Sequence, residues 1–75
     1  MGSKYPVLTP QEIIKVLEIF GFKKVSQKGS HVKYKGIENP SRVAIIPMHK
    51  EIAKGTLKSI LEQASIKLED FLEQL

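Results

Sequence analysis

Cysteine is absent from this sequence, and so is any long apolar run. A chain without cysteine forms no disulfide bonds, performs no thiolate chemistry and builds no cysteine-ligated zinc site. The same absence suits the reducing cytosol, and we expect a cytoplasmic protein. A membrane-spanning helix needs roughly 20 apolar residues. Because no such run occurs, we expect no membrane partner.

Histidine is scarce too, since His31 and His49 are the only two. They lack His–x₃–His spacing, and no cluster of carboxylates stands near them in the sequence. A zinc site usually takes three or four protein or water ligands. We therefore predict no metal site and no cofactor.

The length of 75 residues predicts one domain, and a hydrophobic content of 41% predicts that it is globular. A chain this short buries only about 60% of its unfolded surface, so its core is modest. No internal repeat or linker divides it. We expect residues 1–8 to be a flexible tail or a cloning remnant.

Charge is distributed unevenly along the chain. The net charge is +4, yet residues 22–58 hold nine Lys or Arg against two acids, and the last eight residues hold three acids and no base. A basic middle with an acidic end indicates a polyanionic partner, above all a nucleic acid. The alternative, a lysine-rich surface that only faces water, is about as compatible with the composition.

The segment 9–21 predicts a first helix. Thr9 can cap it, Pro10 suits its first position, and Glu12 completes a capping box. Gly21 supplies a stop, so the helix should cover about residues 10–20. Its apolar stripe consists of Ile13, Val16, Leu17 and Phe20.

Residues 22–47 alternate in the manner of strands. Runs at 22–27, 31–35 and 42–47 are separated by short turn-forming segments, which predicts an antiparallel three-stranded meander. In the middle run Val32 and Tyr34 should point to the core. His31, Lys33 and Lys35 should then lie on the opposite, water-facing side.

The remainder predicts two more helices. The first covers about residues 54–64, with the apolar stripe Leu57, Ile60, Leu61 and Ala64. The second is short and acidic, with Leu68, Phe71, Leu72 and Leu75 beside Glu69, Asp70 and Glu73. The whole is an α+β domain, in which helices cover one face of the sheet and a short extra helix ends the chain.

Four segments now combine in chain order: "FGF" at 20–22, "QKGSH" at 27–31, "IPMH" at 46–49 and "KGTLKSILEQASI" at 54–66. Together they resemble the HicA (YcfA-like) toxins of type II toxin–antitoxin systems. The resemblance implies a double-stranded-RNA-binding-domain-like α-β-β-β-α fold over a single domain, 1–75. It also implies a stress-response mRNA interferase, an endoribonuclease that works independently of the ribosome and is neutralised by a cognate HicB antitoxin. A homo-oligomer is not predicted.

The resemblance places the catalytic histidine on His31, which follows Gly-Ser. Three positions depart from the family pattern. Val32 stands where many relatives have a second His or an Arg, Ser65 replaces the usual Gly, and Lys67 replaces a capping Thr or Ser.

Histidine suits RNA cleavage because its ordinary pKa near 6.5 lets it both take and give a proton. His31 is therefore the candidate general acid or base. Lysines and helix-start backbone groups would hold the phosphates. The predicted RNA-binding set is Lys28, Gly29, Ser30, Lys33, Lys35, Lys50, Lys54, Gly55, Thr56 and Lys58.

Alternatives remain open at this point. From patterning alone, His31 could be a surface histidine with no task. His49 could be a second proton-transfer group, a helix cap or a phosphate contact, and we favour an auxiliary or structural role. The chain could also be a non-catalytic RNA-binding module, or a subunit whose basic face docks an acidic protein.

Overall fold

A computed structural model describes residues 5–39 and 41–75. The elements in order are α1 (Pro10–Ile19), β1 (Phe22–Lys28), β2 (His31–Gly36), β3 (Val43–Pro47), α2 (Lys54–Ala64) and α3 (Leu68–Glu73). The strands form one antiparallel sheet in the order β1-β2-β3. The predicted α+β architecture, with its double-stranded-RNA-binding-domain-like layout, is confirmed.

Helix α1 begins as its sequence predicts. The Glu12 amide donates to the Thr9 hydroxyl at 3.2 Å, and the Thr9 amide donates to the Glu12 carboxylate at 2.9 Å. Its C-terminal boundary agrees with the predicted span of about residues 10–20, since the helix ends at Ile19 and Phe20 is its C-cap. Phe20 consequently leaves the buried stripe and is 36% exposed.

The register of the sheet assigns every side chain of β2 to a face. Val32 and Tyr34 are buried, together with Ala44 and Ile46 of β3. These residues share one core with the apolar side chains of the helices, so we call their side the inner face. His31 and Lys33 are exposed on the other side, the outer face, as the alternation predicts.

Strands β1 and β2 are joined by the two residues Gly29 and Ser30. Lys28 pairs with His31 across this turn, and Gly29 has φ +59°. A two-residue hairpin with a positive φ at its first central position corresponds to a type II′ turn, in which glycine is preferred. The predicted turn therefore holds the start of β2 tightly against the end of β1.

The two edge strands of the sheet, β1 and β3, each depart from regular strand pairing. The register of β1 shifts between Lys24 and Ser26, which leaves Val25 as the extra residue of a β-bulge. On β3, the amide of Ile45 donates to the side-chain oxygen of Gln63 at 3.0 Å. Helix α2 thus satisfies a backbone group that β2 cannot reach.

Helix α2 buries the whole predicted stripe from Leu57 to Ala64 and is followed by its C-cap Ser65, whose φ of 58° is left-handed. In α3, Phe71 is fully buried. Leu72 and Leu75 are exposed, so the stripe expected there is wrong at these two positions. Six residues make fewer than two turns, and only one side chain per turn reaches the core.

Residues 1–4 of the predicted tail lie outside the described residues. Leu8 is buried, and its carbonyl accepts a hydrogen bond from the amide of Ile52 at 2.7 Å. The expectation of a flexible tail therefore does not hold for Leu8, which fastens the chain before α1 to the segment before α2. Within the described ranges, no helix has the length and apolar character needed to cross a bilayer.

Candidate active site

His31 is the first residue of the central strand β2 and directly follows the hairpin turn that joins β1 to β2. It is exposed on the outer face, with Lys28 opposite it on β1 and Pro47 opposite it on β3. Directly opposed residues of an antiparallel pair share one face. The imidazole therefore lies beside a cation on one strand and an apolar ring on the other.

His49 is brought to His31 by the continuation of the β2–β3 register. The amide of Met48 donates to the carbonyl of Ser30, which extends the pairing beyond Pro47. His49 then falls on the same face as Pro47, as a diagonal neighbour of His31. The two ring centroids are 6.4 Å apart and the rings meet edge to face at 73°. The sequence spacing of 31 and 49 could not reveal this proximity.

The turn next to His31 is held by side chains that the sequence did not single out. The side-chain amide nitrogen of Gln27 donates to the backbone carbonyl of Gly29 at 3.2 Å, and the Lys24 ammonium donates to the side-chain oxygen of Gln27 at 3.0 Å. These bonds fix the loop that sets the backbone position of His31. The only sequence signal for Gln27 was its place in "QKGSH".

The predicted lysines of the strands gather on the outer face. Lys28 and Lys33 are exposed there, and Lys35 is half-buried. Lys23 pairs with Lys35 and shares this face, although it was not among the predicted RNA-binding residues. No Asp or Glu occupies an outward position of the three strands. The outer face is thus uniformly positive around His31.

Val32, the first of the three departures from the family pattern, is buried on the inner face with 3% exposure. A side chain at this position points into the core and not toward the outer face. The departure therefore removes no cation from the surface that surrounds His31.

The other predicted residues form a second group around the start of α2. Lys54, Gly55 and Thr56 are the first three helical residues after the N-cap, Ala53, and no side chain caps the helix. Its first turn contains no acid either, so no carboxylate within the helix offsets the positive end of the helix dipole. Lys50 lies in the segment between His49 and this helix, and Lys58 follows in the next turn. The apolar stripe of α2 shares the core with the inner face of β3, and Lys58 is exposed on that helix.

Chemically, the site offers two imidazoles facing water within a field of ammonium groups. The ring centroids lie 6.4 Å apart, so both imidazoles occupy one position on the outer face. Two imidazoles so placed can act as a proton acceptor and a proton donor toward one bound group. Among residues 5–39 and 41–75, no three His, Cys, Asp or Glu side chains are placed to hold a metal ion.

The chain is similar to known proteins at the level of a family. No curated protein matches the chain. Residues 10–66, from the start of α1 to just beyond α2, match the model of a protein family described as the HicA toxin of bacterial toxin–antitoxin systems. The match covers most of the chain and contains both histidines. The chain therefore belongs to the HicA family, and its role is that of the toxin in a toxin–antitoxin system.

Proposed function

We propose that this toxin is a metal-independent endoribonuclease that cleaves mRNA, with His31 and His49 as its proton-transfer groups. The observation that carries the proposal is the 6.4 Å separation of the two rings on an exposed, positive face. Family membership supplies the toxin role. Cleaving messages would give that role a direct molecular basis.

The reaction requires no nucleophile from the protein. One neutral imidazole takes the proton of a 2′-hydroxyl, and the 2′-oxygen attacks the adjacent phosphorus. The bond from phosphorus to the 5′-oxygen then breaks as the other, protonated imidazole donates its proton to that oxygen. The products are a 2′,3′-cyclic phosphate and a free 5′-hydroxyl, and the two histidines exchange protonation states.

Lys28 and Lys33 support this chemistry electrostatically. Both are exposed on the outer face beside His31, one across the strand pair and the other two residues along β2. Negative charge builds up on the phosphoryl oxygens in the transition state, and fixed cations stabilise it. The chain's own ammonium groups thus take the part that a metal ion plays in other nucleases.

Partner and location follow from the proposed substrate. We assign the antitoxin to the HicB type, on the strength of the family, and its neutralising effect to obstruction of the positive face. Because mRNA is cytoplasmic, we place the action of the toxin in the cytoplasm.

Cleavage of a long single-stranded RNA in the presence of EDTA tests the proposal. Wild-type protein should cut it, and His31→Ala should lower the rate by about 10²- to 10⁴-fold, the usual contribution of positioned proton transfer. His49→Ala should lose activity in the same range, while Gln11→Ala, an exposed change on α1, should cleave like wild type. Circular dichroism controls for folding.

The outcomes separate the rival functions. RNA binding without cleavage by wild type would assign the chain to non-catalytic RNA-binding modules. Cleavage only with added magnesium would refute the metal-independent route. If His49→Ala keeps full activity and the rate shows no bell-shaped pH dependence, His31 acts without the second imidazole.

A further inference from the structure

We propose that the outer face of β2 and β3 is a binding track for single-stranded RNA, in which residues of β2 contact phosphates and residues of β3 contact bases. The inference rests on the proposed function for the identity of the ligand. It adds a role for three apolar residues that the cleavage chemistry does not use: Val43, Ile45 and Pro47.

The register places these residues beside the functional side chains of β2 one by one. Pro47 is opposite His31, Ile45 is opposite Lys33, and Val43 is opposite Lys35. All three β3 residues are half-buried on the outer face, while Ala44 and Ile46 between them are fully buried. The outer face therefore carries a row of polar, cationic groups directly alongside a row of apolar groups.

The Lys33–Ile45 pair can be described in more detail. Since the amide of Ile45 points to Gln63, it does not bond to β2. Lys33 and Ile45 therefore form a non-hydrogen-bonded pair, with Cα atoms about 4.5 Å apart and their side chains close together. An ammonium group and an apolar surface at one position match the two parts of a nucleotide, its phosphate and the face of its base.

The same pattern repeats along the strands. Alternate residues of a strand are spaced by roughly 6.6–6.8 Å. Successive phosphates of an extended nucleic acid strand are separated by a comparable distance. Two steps along β2 lead from His31 through Lys33 to Lys35, so a strand that follows this row presents one phosphodiester bond to the histidine pair.

The open face favours a single strand over a duplex. The described helices pack on the inner face, so the outer face is free to receive a chain lying across it. In duplex RNA the base faces are stacked and the deep, narrow major groove excludes side chains. Only an unpaired strand can lay its bases on Val43 and Ile45, because the bases of a single strand can be unstacked and splayed out.

Fluorescence anisotropy with an uncleavable probe tests the track. The probe is a 2′-O-methyl octanucleotide, which lacks the free hydroxyl that cleavage needs. It is compared with an abasic strand of equal phosphate number and with the same octanucleotide annealed to its complement. Wild-type protein should bind the intact single strand at least tenfold more tightly than either.

The double variant Val43→Thr, Ile45→Thr keeps β-branched side chains and replaces apolar groups by hydroxyls. It should bind the intact single strand about fifteenfold less tightly, since each of the two lost apolar contacts is worth roughly fourfold. Its affinity for the abasic strand should not change. The control Ile19→Thr alters an exposed isoleucine of α1 and should bind all three probes like wild type.

Three results would overturn the inference: equal affinity for intact and abasic strands, tighter binding of the duplex, or no effect of the double variant in a protein that melts normally. The last would assign the apolar row to a protein interface. The binding measurement is independent of the cleavage assay. Cleavage without base-dependent binding would refute the proposed RNA-binding track and leave the proposed endoribonuclease activity intact. Base-dependent binding without cleavage would refute the endoribonuclease activity and leave the track intact.

Discussion

The pKa of the Tyr34 hydroxyl depends on the face of the sheet that this residue of β2 occupies. Its side chain is on the inner face and only 5% exposed. Burial raises the pKa of its hydroxyl above the ordinary value of 10.0, and the negative charge of Glu18 raises it further. Both causes act against the phenolate, because ionisation would place a charge in the core near a carboxylate.

The raised pKa of Tyr34 predicts a loss of stability in alkali. The unfolded chain releases this proton near pH 10.0, before the folded protein does. The stabilising contribution is therefore complete below pH 10 and declines as the pH rises through the folded-state pKa. Urea unfolding of wild type and Tyr34→Phe between pH 8 and 11 measures it. The wild-type midpoint should fall more steeply above pH 10, and parallel curves would contradict the prediction.

The position of His31 is only partly determined by its neighbours in the sequence. Its exposure follows from the alternation of Val32 and Tyr34, which needs no knowledge of neighbouring strands. Its proximity to His49 requires the β2–β3 register, which local patterning leaves undetermined. The sequence therefore predicted the exposed position of His31 but not its proximity to His49.

At the scale of elements, strong local signals gave accurate boundaries. The capping box starts α1 at Pro10, and the stripe from Leu57 to Ala64 defines α2. Deviations occur where tertiary packing decides. Phe20 repeats the helical spacing but lies beyond the last turn, and Leu72 repeats it in a helix too short to bury two apolar rows. Periodicity cannot report where the core ends.

The end of α2 provides a prediction at this scale. Ser65 adopts φ 58° and ψ 40°, a left-handed conformation that costs an L-residue roughly 1–2 kcal/mol. Ser65→Gly should therefore stabilise the domain by about 1 kcal/mol, which raises the melting temperature by roughly 4–8 °C in a domain of this size. Differential scanning calorimetry measures it.

The matched control for this change is Ser59→Gly, in the interior of the same helix. There glycine has no left-handed conformation to relieve, and it should lower stability by about 0.5 kcal/mol, because its helix propensity is below that of serine. If both substitutions shift the melting temperature in the same direction, strain at Ser65 is not the reason.

For the whole molecule, charge is organised by the fold more than by the sequence. The basic segment 22–58 is divided between the outer face of the strands and the start of α2, a helix whose apolar stripe packs on the inner face. Composition indicated a polyanionic partner but could not indicate this division. The acidic α3 contributes Phe71 to the core, so its position is set by packing.

This division predicts which lysines govern the salt dependence of RNA binding. The logarithm of affinity for single strands falls with the logarithm of salt concentration, by about 0.7 per neutralised phosphate. Lys33→Gln should reduce that slope by about 0.7, because Lys33 lies on the proposed track. Lys15→Gln, an equal loss of charge on α1, should leave it unchanged. Titrating the uncleavable octanucleotide at several salt concentrations gives both slopes, and equal slopes would mean that only net charge matters.

The two edges of the sheet determine whether a strand of another copy can pair with it. The amide of Ile45 is occupied by Gln63, Pro47 has no amide to offer, and the bulge at Val25 interrupts the opposite edge beside three lysines. An incoming strand of another copy finds no continuous ladder to join at either side. Both edges of the sheet are therefore protected against pairing with a strand of another copy.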